Sequence, residues 1–254
     1  MPEIRIFESR CLDIGACAAA CPQQLPASRN LPDPTRCLRC GRCAEACRTG
    51  ARQLVGRTFS VDEVMAAVER DQPFYDESGG GVTFSGGEPL YQPGFLIACL
   101  TRARRRGLHT AVDTSGYASL AVLREVATLT DLFLYDLKVL DPDRHRRYTG
   151  VPLQPILRNL RELDRSGAVV WLRVPLVPGY NDDVANIEAV AELACSLRRT
   201  RRVHLLPYHR LGAEKYTRIG RSDRLGQVEA PADDAVEKVA SFLRTFDLDV
   251  RIGG

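Results

Sequence analysis

Cysteine is the residue type in this sequence that most clearly carries chemistry. Seven of the nine cysteines lie between positions 11 and 47, and outside oxidising compartments such density indicates metal binding rather than disulfides. The run Cys37–Cys47 has the spacing C-x2-C-x2-C-x3-C, which is typical of bacterial ferredoxins. In that motif three thiolates bind one iron–sulfur cluster and the fourth reaches a second cluster. We therefore predict an iron–sulfur module here, in preference to a zinc site.

A second copy of the motif precedes the first, with one substitution. Its cysteines are Cys11, Cys17 and Cys21, and Ile14 stands where the second cysteine of the motif belongs. If the fourth cysteine of each motif binds the cluster of the other motif, one cluster has four ligands and the other has three. The complete cluster takes Cys37, Cys40, Cys43 and Cys21, and the incomplete one takes Cys11, Cys17 and Cys47. The incomplete site could hold [3Fe–4S], hold [4Fe–4S] with Asp13 or solvent as a weak fourth ligand, or stay empty.

Polar residues recur where apolar strands end. The first group lies in a turn whose glycines let the backbone approach a ligand closely. The residues of these strand ends are Ser85, Gly86, Gly87 and Glu88, then Asp113 and Thr114, then Asp136, Leu137 and Lys138, and finally Arg173 and His209. Helix caps, plain turns and a phosphate loop are the alternatives, but neither G-x-G-x-x-G nor the P-loop pattern is present. Since the carboxyl ends of parallel strands meet at one face of a barrel, five such endings predict a shared site.

The elements that must position these residues alternate between strand and helix after about residue 60. The predicted strands are Gly81–Phe84, Thr110–Asp113, Leu132–Leu137, Val169–Leu176, Val203–Pro207 and Asp249–Ile252. The predicted helices are Val61–Arg70, Pro93–Arg106, Leu120–Thr128, Pro155–Ser166, Asn186–Arg199 and Asp233–Phe246. This alternation favours an α/β fold with a parallel sheet. A doubly wound sheet and a partial barrel produce the same pattern, so periodicity leaves the two open.

Composition limits the remaining possibilities. The formal net charge of +3 is too small to indicate nucleic-acid binding, and no apolar run approaches the roughly 20 residues of a membrane span. The first residues resemble no signal peptide, so we expect a cytoplasmic protein. A Cys-, Pro- and Arg-rich segment over residues 1–56 predicts an iron–sulfur module, and residues 57–254 predict the α/β domain. Cys99 and Cys195 lie in apolar helical patterns, where we expect buried thiols.

Taken together, these motifs resemble the glycyl-radical-enzyme activating proteins of the radical S-adenosylmethionine (radical SAM) superfamily. The likeness runs from about Cys11 to Gly254 and is most specific over Phe74–Pro89, Asp131–Lys138 and Val203–Arg210. The ferredoxin-type insert is typical of the family's larger members, not of the minimal pyruvate formate-lyase activating form. The resemblance implies an α/β fold, a partial (β/α) barrel of the radical SAM type with a small ferredoxin-like module at the amino terminus.

The resemblance also implies roles for the strand-end residues. The Ser85–Pro89 turn would hold the amino group of S-adenosylmethionine through backbone groups. Its carboxylate would be surrounded by Asp113, Thr114 and the Asp136–Lys138 turn, with the aspartates able to share a monovalent cation. The adenosyl half, or the substrate peptide beside it, would contact Arg173 and His209. These residues suit a zwitterionic amino acid, because its carboxylate needs a cation such as Lys138.

The chemistry implied is reductive cleavage of S-adenosylmethionine at a [4Fe–4S] cluster, giving a radical that takes hydrogen from a glycine of a partner enzyme. The implied cofactors are S-adenosylmethionine, a [4Fe–4S] cluster and a possible second [3Fe–4S] or [4Fe–4S] cluster. The implied partners are a glycyl radical enzyme and a flavodoxin- or ferredoxin-type reductant.

One departure from the family pattern concerns the catalytic cluster, whose cysteines have the spacing C-x3-C-x2-C. No such motif occurs in these 254 residues. We therefore expect an amino-terminally shortened chain that lacks the first barrel strand and is not competent alone, with the motif encoded in frame upstream. The alternatives are a non-catalytic iron–sulfur electron carrier and a pseudoenzyme that binds S-adenosylmethionine or a partner.

Overall fold

The computed structural model describes residues 2–26, 32–209, 225 and 228–253. Two compact units make up the chain. The first comprises Met1–Phe59 and His209–Val228, and the second comprises Ser60–Tyr208 and Glu229–Gly254. Among the described residues, no helix combines the length and the apolar character that crossing a membrane requires.

The first unit is built around a two-stranded antiparallel sheet of β1 (Glu3–Ile6) and β2 (Arg52–Val55). Between them lie a 3-10 helix at Glu8–Arg10 and the one-turn helices α1 (Ala16–Ala19) and α2 (Arg42–Glu45). The sequence patterns predicted neither strand, because four-residue segments with one or two buried side chains have almost no periodicity. The buried apolar side chains described in this unit are few, namely Ile4, Ile6, Leu25 and Ala51.

The second unit is a six-stranded parallel sheet with helices between its strands. Its strands are β3 (Gly81–Phe84), β4 (His109–Thr114), β5 (Leu132–Asp136), β6 (Val170–Leu176), β7 (Arg202–Pro207) and β8 (Asp249–Ile252). Its helices are α3 (Val61–Arg70), α4 (Gln72–Ser78), α5 (Pro93–Arg105), α6 (Leu120–Ala127), α7 (Pro142–Thr149), α8 (Gln154–Ser166), α9 (Val184–Ser196) and α10 (Asp233–Arg244), with a 3-10 helix at Pro89–Tyr91.

Strand order decides between the two architectures that periodicity left open. The strands lie side by side in chain order from β3 to β8, with no reversal. A doubly wound sheet reverses its order at a switch point, whereas a (β/α) barrel does not. The α/β class and the partial barrel are therefore confirmed. In the described part of the chain β3 pairs only with β4, and β8 only with β7, so the sheet is open.

Alternation along each strand separates a core face from a site face. In β6, Val170, Leu172, Val174 and Leu176 are buried, and they join the main apolar cluster with side chains of α5, α6, α8, α9 and α10. The side chains between them, Trp171, Arg173 and Pro175, are only partly buried on the opposite face. By the same alternation, Asp113, Asp136 and Arg173 stand on the face away from the helices, whereas Thr114 shares the face of the core residue Val112 and is buried.

Several helix boundaries differ from the predictions for identifiable reasons. The helix predicted over Asn186–Arg199 spans Val184–Ser196, since Asp183 caps its first turn by accepting a hydrogen bond from the Asn186 N–H. The sequence patterns did not predict helices α4 and α7. Helix α7 is almost entirely polar and buries only His145, so its sequence has little apolar periodicity. Both lone cysteines were predicted to be buried. Cys99 is buried, but Cys195 is exposed, so the prediction for Cys195 was wrong.

Candidate functional site

The cysteines of the first unit line two neighbouring cavities. The first, of about 250 Å³, is lined by Cys11, Cys17 and Cys47, together with Asp13 and Ile14. The second is lined by Cys17, Cys21, Cys37, Cys40 and Cys43. The four cysteines predicted to form the complete cluster are thus brought together, as are the three of the incomplete cluster. Their role as ligands stays a prediction.

The donor set of these cavities suits clusters better than single ions. No group of three His, Cys, Asp or Glu side chains in the described ranges is close enough to hold one metal ion. A cubane binds each thiolate at a different iron, so its ligands lie farther apart than those of zinc. Three or four thiols around one cavity therefore fit an iron–sulfur cluster.

The local environment shifts the pKa of two of these thiols, upward for one and downward for the other. Burial raises the pKa of Cys43, although the nearby Arg52 partly offsets it. Burial also acts to raise the pKa of Cys47, but hydrogen bonds from the Thr49 hydroxyl and from nearby backbone N–H groups outweigh it, so that pKa lies below its ordinary value. The Cys47 environment therefore favours the thiolate, which is the form that binds iron.

In the second unit, Glu88 joins the ends of β3 and β4. Its Oε1 accepts hydrogen bonds from the Thr114 hydroxyl at 2.6 Å and from the Leu90 N–H at 3.1 Å. Its Oε2 accepts from the N–H of Ser115 at 2.9 Å and from the Ser115 hydroxyl at 2.5 Å. Both carboxylate oxygens are thus engaged within the protein, and they fix the turn that begins at Ser85 against the end of β4.

A chain of charged groups continues from this junction across the next two strands. The Ser85 hydroxyl donates to Asp113 Oδ2 at 3.1 Å, and Arg173 Nη1 lies 2.5 Å from the same oxygen. Arg173 Nε is 3.9 Å from Asp136 Oδ1, and Lys138 Nζ is 3.7 Å from Asp136 Oδ2. Asp113 and Asp136 stand at or next to the carboxyl ends of β4 and β5, whereas Arg173, predicted at a strand end, lies in the middle of β6 opposite Asp136.

Among these charged groups, Asp136 has the negative charge that is least compensated by its neighbours. In the described part of the protein its buried Oδ1 has no hydrogen-bond partner. Burial raises its pKa above the ordinary range, and the charges of Lys138 and Arg173 only partly oppose this. A buried acceptor that lacks a donor is costly, so the ionised form of Asp136 is disfavoured in the folded protein.

The glycine turn provides room for a ligand. A Cβ placed on Gly86 or Gly87 would meet no atom within 4 Å, and Gly86 has φ of 125°. The backbone amides and carbonyls of the turn are therefore accessible. Ser85, Gly86 and Gly87 are exposed, beside the partly buried Glu88, which is the arrangement that a small polar ligand needs to reach main-chain groups.

Asparagine side chains that the sequence reasoning did not single out support the site. Asn159 Nδ2 donates to the carbonyls of Gly116 and Ala118, holding the turn after β4. Asn181 Nδ2 donates to the Lys138 carbonyl at 2.7 Å, and Asn186 accepts from the Leu140 N–H at 2.9 Å. All three are buried. Asparagine on the otherwise apolar face of a helix, as in α8 and α9, is the signal that could have found Asn159 and Asn186.

Two predicted site residues differ from the others in placement. The Leu137 side chain is buried in the core, so only its backbone can face a ligand. His209 is exposed and belongs to the first unit, and its role stays a prediction. The remaining predicted residues of the second unit, from Ser85 to Arg173, stand at the ends of β3, β4, β5 and in β6 as described above.

Comparison with known proteins finds one matching superfamily and several similar activating enzymes. Residues 36–193 match the Radical SAM superfamily. The chain is 41% identical over 265 residues to the benzylsuccinate synthase activating enzyme of Thauera aromatica, covering 99% of this chain and 80% of that protein. It is 45% identical over 190 residues to the isethionate sulfite-lyase activating enzyme of Nitratidesulfovibrio vulgaris, covering 74% of this chain and 61% of that protein.

A solved structure agrees with these relatives. A domain of the pyruvate-formate lyase-activating enzyme from Bacteroides vulgatus superimposes with a TM-score of 0.59 at 35% sequence identity. The superposition covers 69% of this chain and 99% of that domain. The three similar proteins are named for three different partner enzymes.

Proposed function

Since the chain belongs to the radical SAM superfamily, among the activating enzymes of glycyl radical enzymes, we propose that its strand-end residues bind S-adenosylmethionine for activation of such a partner. The observation that carries the proposal is a set of contacts at one edge of the sheet. Glu88 of the glycine turn accepts from Thr114, and Asp113 accepts from Ser85 of the same turn. Arg173 then lies between Asp113 and Asp136, and Lys138 lies beside Asp136. These contacts join the segments at the ends of β3, β4 and β5 to Arg173 of β6, near the carboxyl ends of strands where (β/α) barrels bind substrates.

The charges of this network suit the methionine half of the cofactor. Three carboxylates, Glu88, Asp113 and Asp136, face two cations, Lys138 and Arg173, so the set has one negative charge in excess. The ammonium group can approach the exposed backbone of the glycine turn, next to this excess of negative charge. The methionine carboxylate can pair with Lys138, whose side chain is about half exposed and lies 3.7 Å from Asp136.

The residues of this chain bind and orient, and the bound groups supply the radical chemistry. S-adenosylmethionine and a [4Fe–4S] cluster are the cofactors with which this family generates radicals. Glu88 and Asn159 fix the turns on which the binding groups stand, and Arg173 keeps Asp113 in place. We further propose that a flavodoxin- or ferredoxin-type protein delivers the electron, with the cysteine-lined cavities of the first unit holding the clusters that accept it.

The thiolates of the catalytic cluster are not among these 254 residues, because C-x3-C-x2-C does not occur in them. We therefore expect the chain to bind S-adenosylmethionine without cleaving it. Under anaerobic conditions with dithionite, chromatography should find no 5′-deoxyadenosine above a control without protein. Cleavage above that background would mean that other cysteines bind the catalytic cluster.

Binding itself is tested with a matched pair of lysine variants. Isothermal titration of the full chain with S-adenosylmethionine should show saturable binding that Lys138→Met weakens by about tenfold or more, the loss of one charge-assisted contact. Lys238→Met removes an exposed lysine that pairs with Asp234 on α10 and should leave the affinity unchanged. Equal affinities for the Lys138→Met variant and the wild type would reject the proposed site.

A further inference from the structure

The two cysteine motifs of the first unit have the same backbone conformation, although one lacks a cysteine. Corresponding residues are 26 positions apart in the sequence. Asp13 and Arg39 have positive φ angles of 51° and 52°, and the glycines that cap the two short helices have 76° and 82°. The hydrogen bonds repeat too: the Cys21 N–H donates to Ala18 and the Cys47 N–H donates to Ala44, both at 3.1 Å.

The repeat places Ile14 at the position that Cys40 holds in the other motif. A left-handed φ is uncommon for a residue other than glycine. Because Asp13 has the same left-handed φ as Arg39, the first loop has the same shape as the loop with all four cysteines. The Ile14 side chain is 63% exposed and contributes no ligand atom. The incomplete site thus keeps the geometry of a cluster site with one corner lacking a thiolate.

A carboxylate lines the same cavity as the three thiols. Asp13 lines the cavity of about 250 Å³ together with Cys11, Cys17 and Cys47. Its Oδ1 accepts a hydrogen bond from the Cys11 thiol, with the two atoms 3.4 Å apart. An iron bound to the Cys11 thiolate would replace that thiol proton. The carboxylate would then line the same cavity as the three thiolates.

We propose that this cavity binds an iron–sulfur cluster through three thiolates and that the Asp13 carboxylate, in place of a cysteine, is the ligand of the fourth iron. The proposal rests on the iron–sulfur function proposed for the first unit. Oxygen is a harder ligand than thiolate and holds this iron less firmly. One-electron oxidation by ferricyanide therefore releases it, as [4Fe–4S]³⁺ gives [3Fe–4S]⁺ and Fe²⁺.

The test uses the full chain reconstituted anaerobically with iron and sulfide. Ferricyanide should remove one iron per chain and produce the [3Fe–4S]⁺ signal in electron paramagnetic resonance. Adding ⁵⁷Fe²⁺ under reducing conditions should refill the corner and give a Mössbauer component typical of oxygen-ligated iron. Asp13→Ala should weaken uptake of this iron by about 10- to 100-fold, as removal of a metal-site partner commonly does. Ile14→Cys should make the same iron resistant to ferricyanide.

A matched control and two outcomes decide the matter. Glu45→Ala removes an exposed carboxylate of the same unit that lines neither cavity and should behave as the wild type. Unchanged iron uptake and an unchanged Mössbauer component in Asp13→Ala would overturn the proposal, as would a wild type with a single cluster. Since neither S-adenosylmethionine nor a partner enzyme is present, this test can fail while the binding site of the second unit stands.

Discussion

At the scale of single residues, the site contains two neighbouring aspartates with equal exposure and different partners. The Asp113 and Asp136 side chains are 21% and 22% exposed. Asp113 accepts from the Ser85 hydroxyl and lies 2.5 Å from Arg173. Among the described residues, the cations near the Asp136 carboxylate are Lys138 at 3.7 Å and Arg173 at 3.9 Å. Equal burial with unequal compensation predicts opposite consequences for neutralising the two carboxylates.

Asp136→Asn should stabilise the cofactor-free chain at pH 7 by about 1 kcal/mol, because a neutral amide replaces a buried and poorly compensated negative charge. Gains of this size are common when a residue kept for function is replaced. Burial raises the pKa of this carboxyl in the folded state, so its ionised form costs stability at neutral pH. That cost disappears as the pH falls through the folded-state pKa, since the proton is then retained. Urea unfolding at a series of pH values from 7 down to the unfolded-state pKa of about 3.9 should therefore show the gain shrinking as the pH falls.

Asp113→Asn is the control for this prediction. It breaks a close ion pair and leaves Arg173 without its nearest counter-charge, so it should destabilise the chain by about 1–3 kcal/mol. Two variants that shift the unfolding midpoint in the same direction would contradict the assignment of Asp136 as the uncompensated carboxylate.

At the scale of elements, the turn after β4 depends on a glycine that faces a tyrosine. Gly116 has φ of 72°, and a Cβ there would lie 1.7 Å from Tyr135 Oη. The tyrosine is fully buried and donates to the Ile156 carbonyl at 2.7 Å. Burial and, to a lesser extent, the nearby charge of Glu88 raise the pKa of this phenol, so it stays protonated and remains a donor. Because the ring is fully buried, it cannot easily move away from a side chain at position 116.

Gly116→Ala should therefore destabilise the protein by several kcal/mol, on the order of 3 kcal/mol, from overpacking and from strain at positive φ. Gly150→Ala is the matched control, because Gly150 has φ of 83° and a Cβ there meets no atom within 4 Å. It should cost only about 1 kcal/mol. Urea unfolding gives both values, and similar costs would show that conformational strain alone, without the Tyr135 contact, fixes the turn.

A second element-scale feature is the junction between α9 and β7. Asp164 at the end of α8 is buried and accepts hydrogen bonds from the backbone N–H groups of Arg198, Arg199 and Thr200. Burial acts to raise its pKa, but these bonds outweigh burial and hold the pKa below its ordinary value. The carboxylate thus ends α9 and directs the chain into β7.

Asp164→Asn should destabilise the chain by about 2 kcal/mol at pH 7, because an amide oxygen satisfies three donors less well than a carboxylate. The native pKa is depressed, so this stability is complete above the unfolded pKa of about 3.9 and is lost as the pH falls through the native pKa. The difference between wild type and variant should narrow below about pH 4. Thermal unfolding across pH checks this, with Glu192→Gln, an exposed position on α9, as the silent control. A gap of constant size down to pH 3 would contradict the role given to the carboxylate.

At the scale of the whole molecule, the two units have different sources of stability. The second unit has a large apolar cluster between its sheet and its helices. The described part of the first unit buries few apolar side chains around a two-stranded sheet. A segment with so small a core needs covalent or metal cross-links to stay folded, and its seven cysteines can supply them.

Removing iron from the reconstituted chain should therefore unfold the first unit selectively. Hydrogen exchange followed by mass spectrometry should show the amides of β1 and β2 losing protection after chelation, while those of β4 to β7 keep theirs. Protein that was never reconstituted, treated with the same chelator, is the control. Full protection of β1 and β2 without iron would show that the small core suffices.

The sequence by itself determined the features that depend on local spacing. The cysteine intervals predicted iron–sulfur motifs, and the alternation of apolar residues predicted all six strands of the second unit within a few residues, because burial on one face has a period that a linear chain records. The polar strand ends also stood out locally. The same reasoning missed β1, β2 and α7, whose short or polar sequences leave little periodic signal.

Only the tertiary structure decided which of these residues meet. Periodicity records burial but not neighbours, so the strand order that separates a barrel from a doubly wound sheet had to come from pairing. The attachment of Glu88 to Ser115, the pairing of Asp113 with Arg173 and the fit of Gly116 against Tyr135 join residues far apart in the chain. Such contacts arise from the packing of separate elements, and no local pattern encodes the distance between two side chains that only folding brings together.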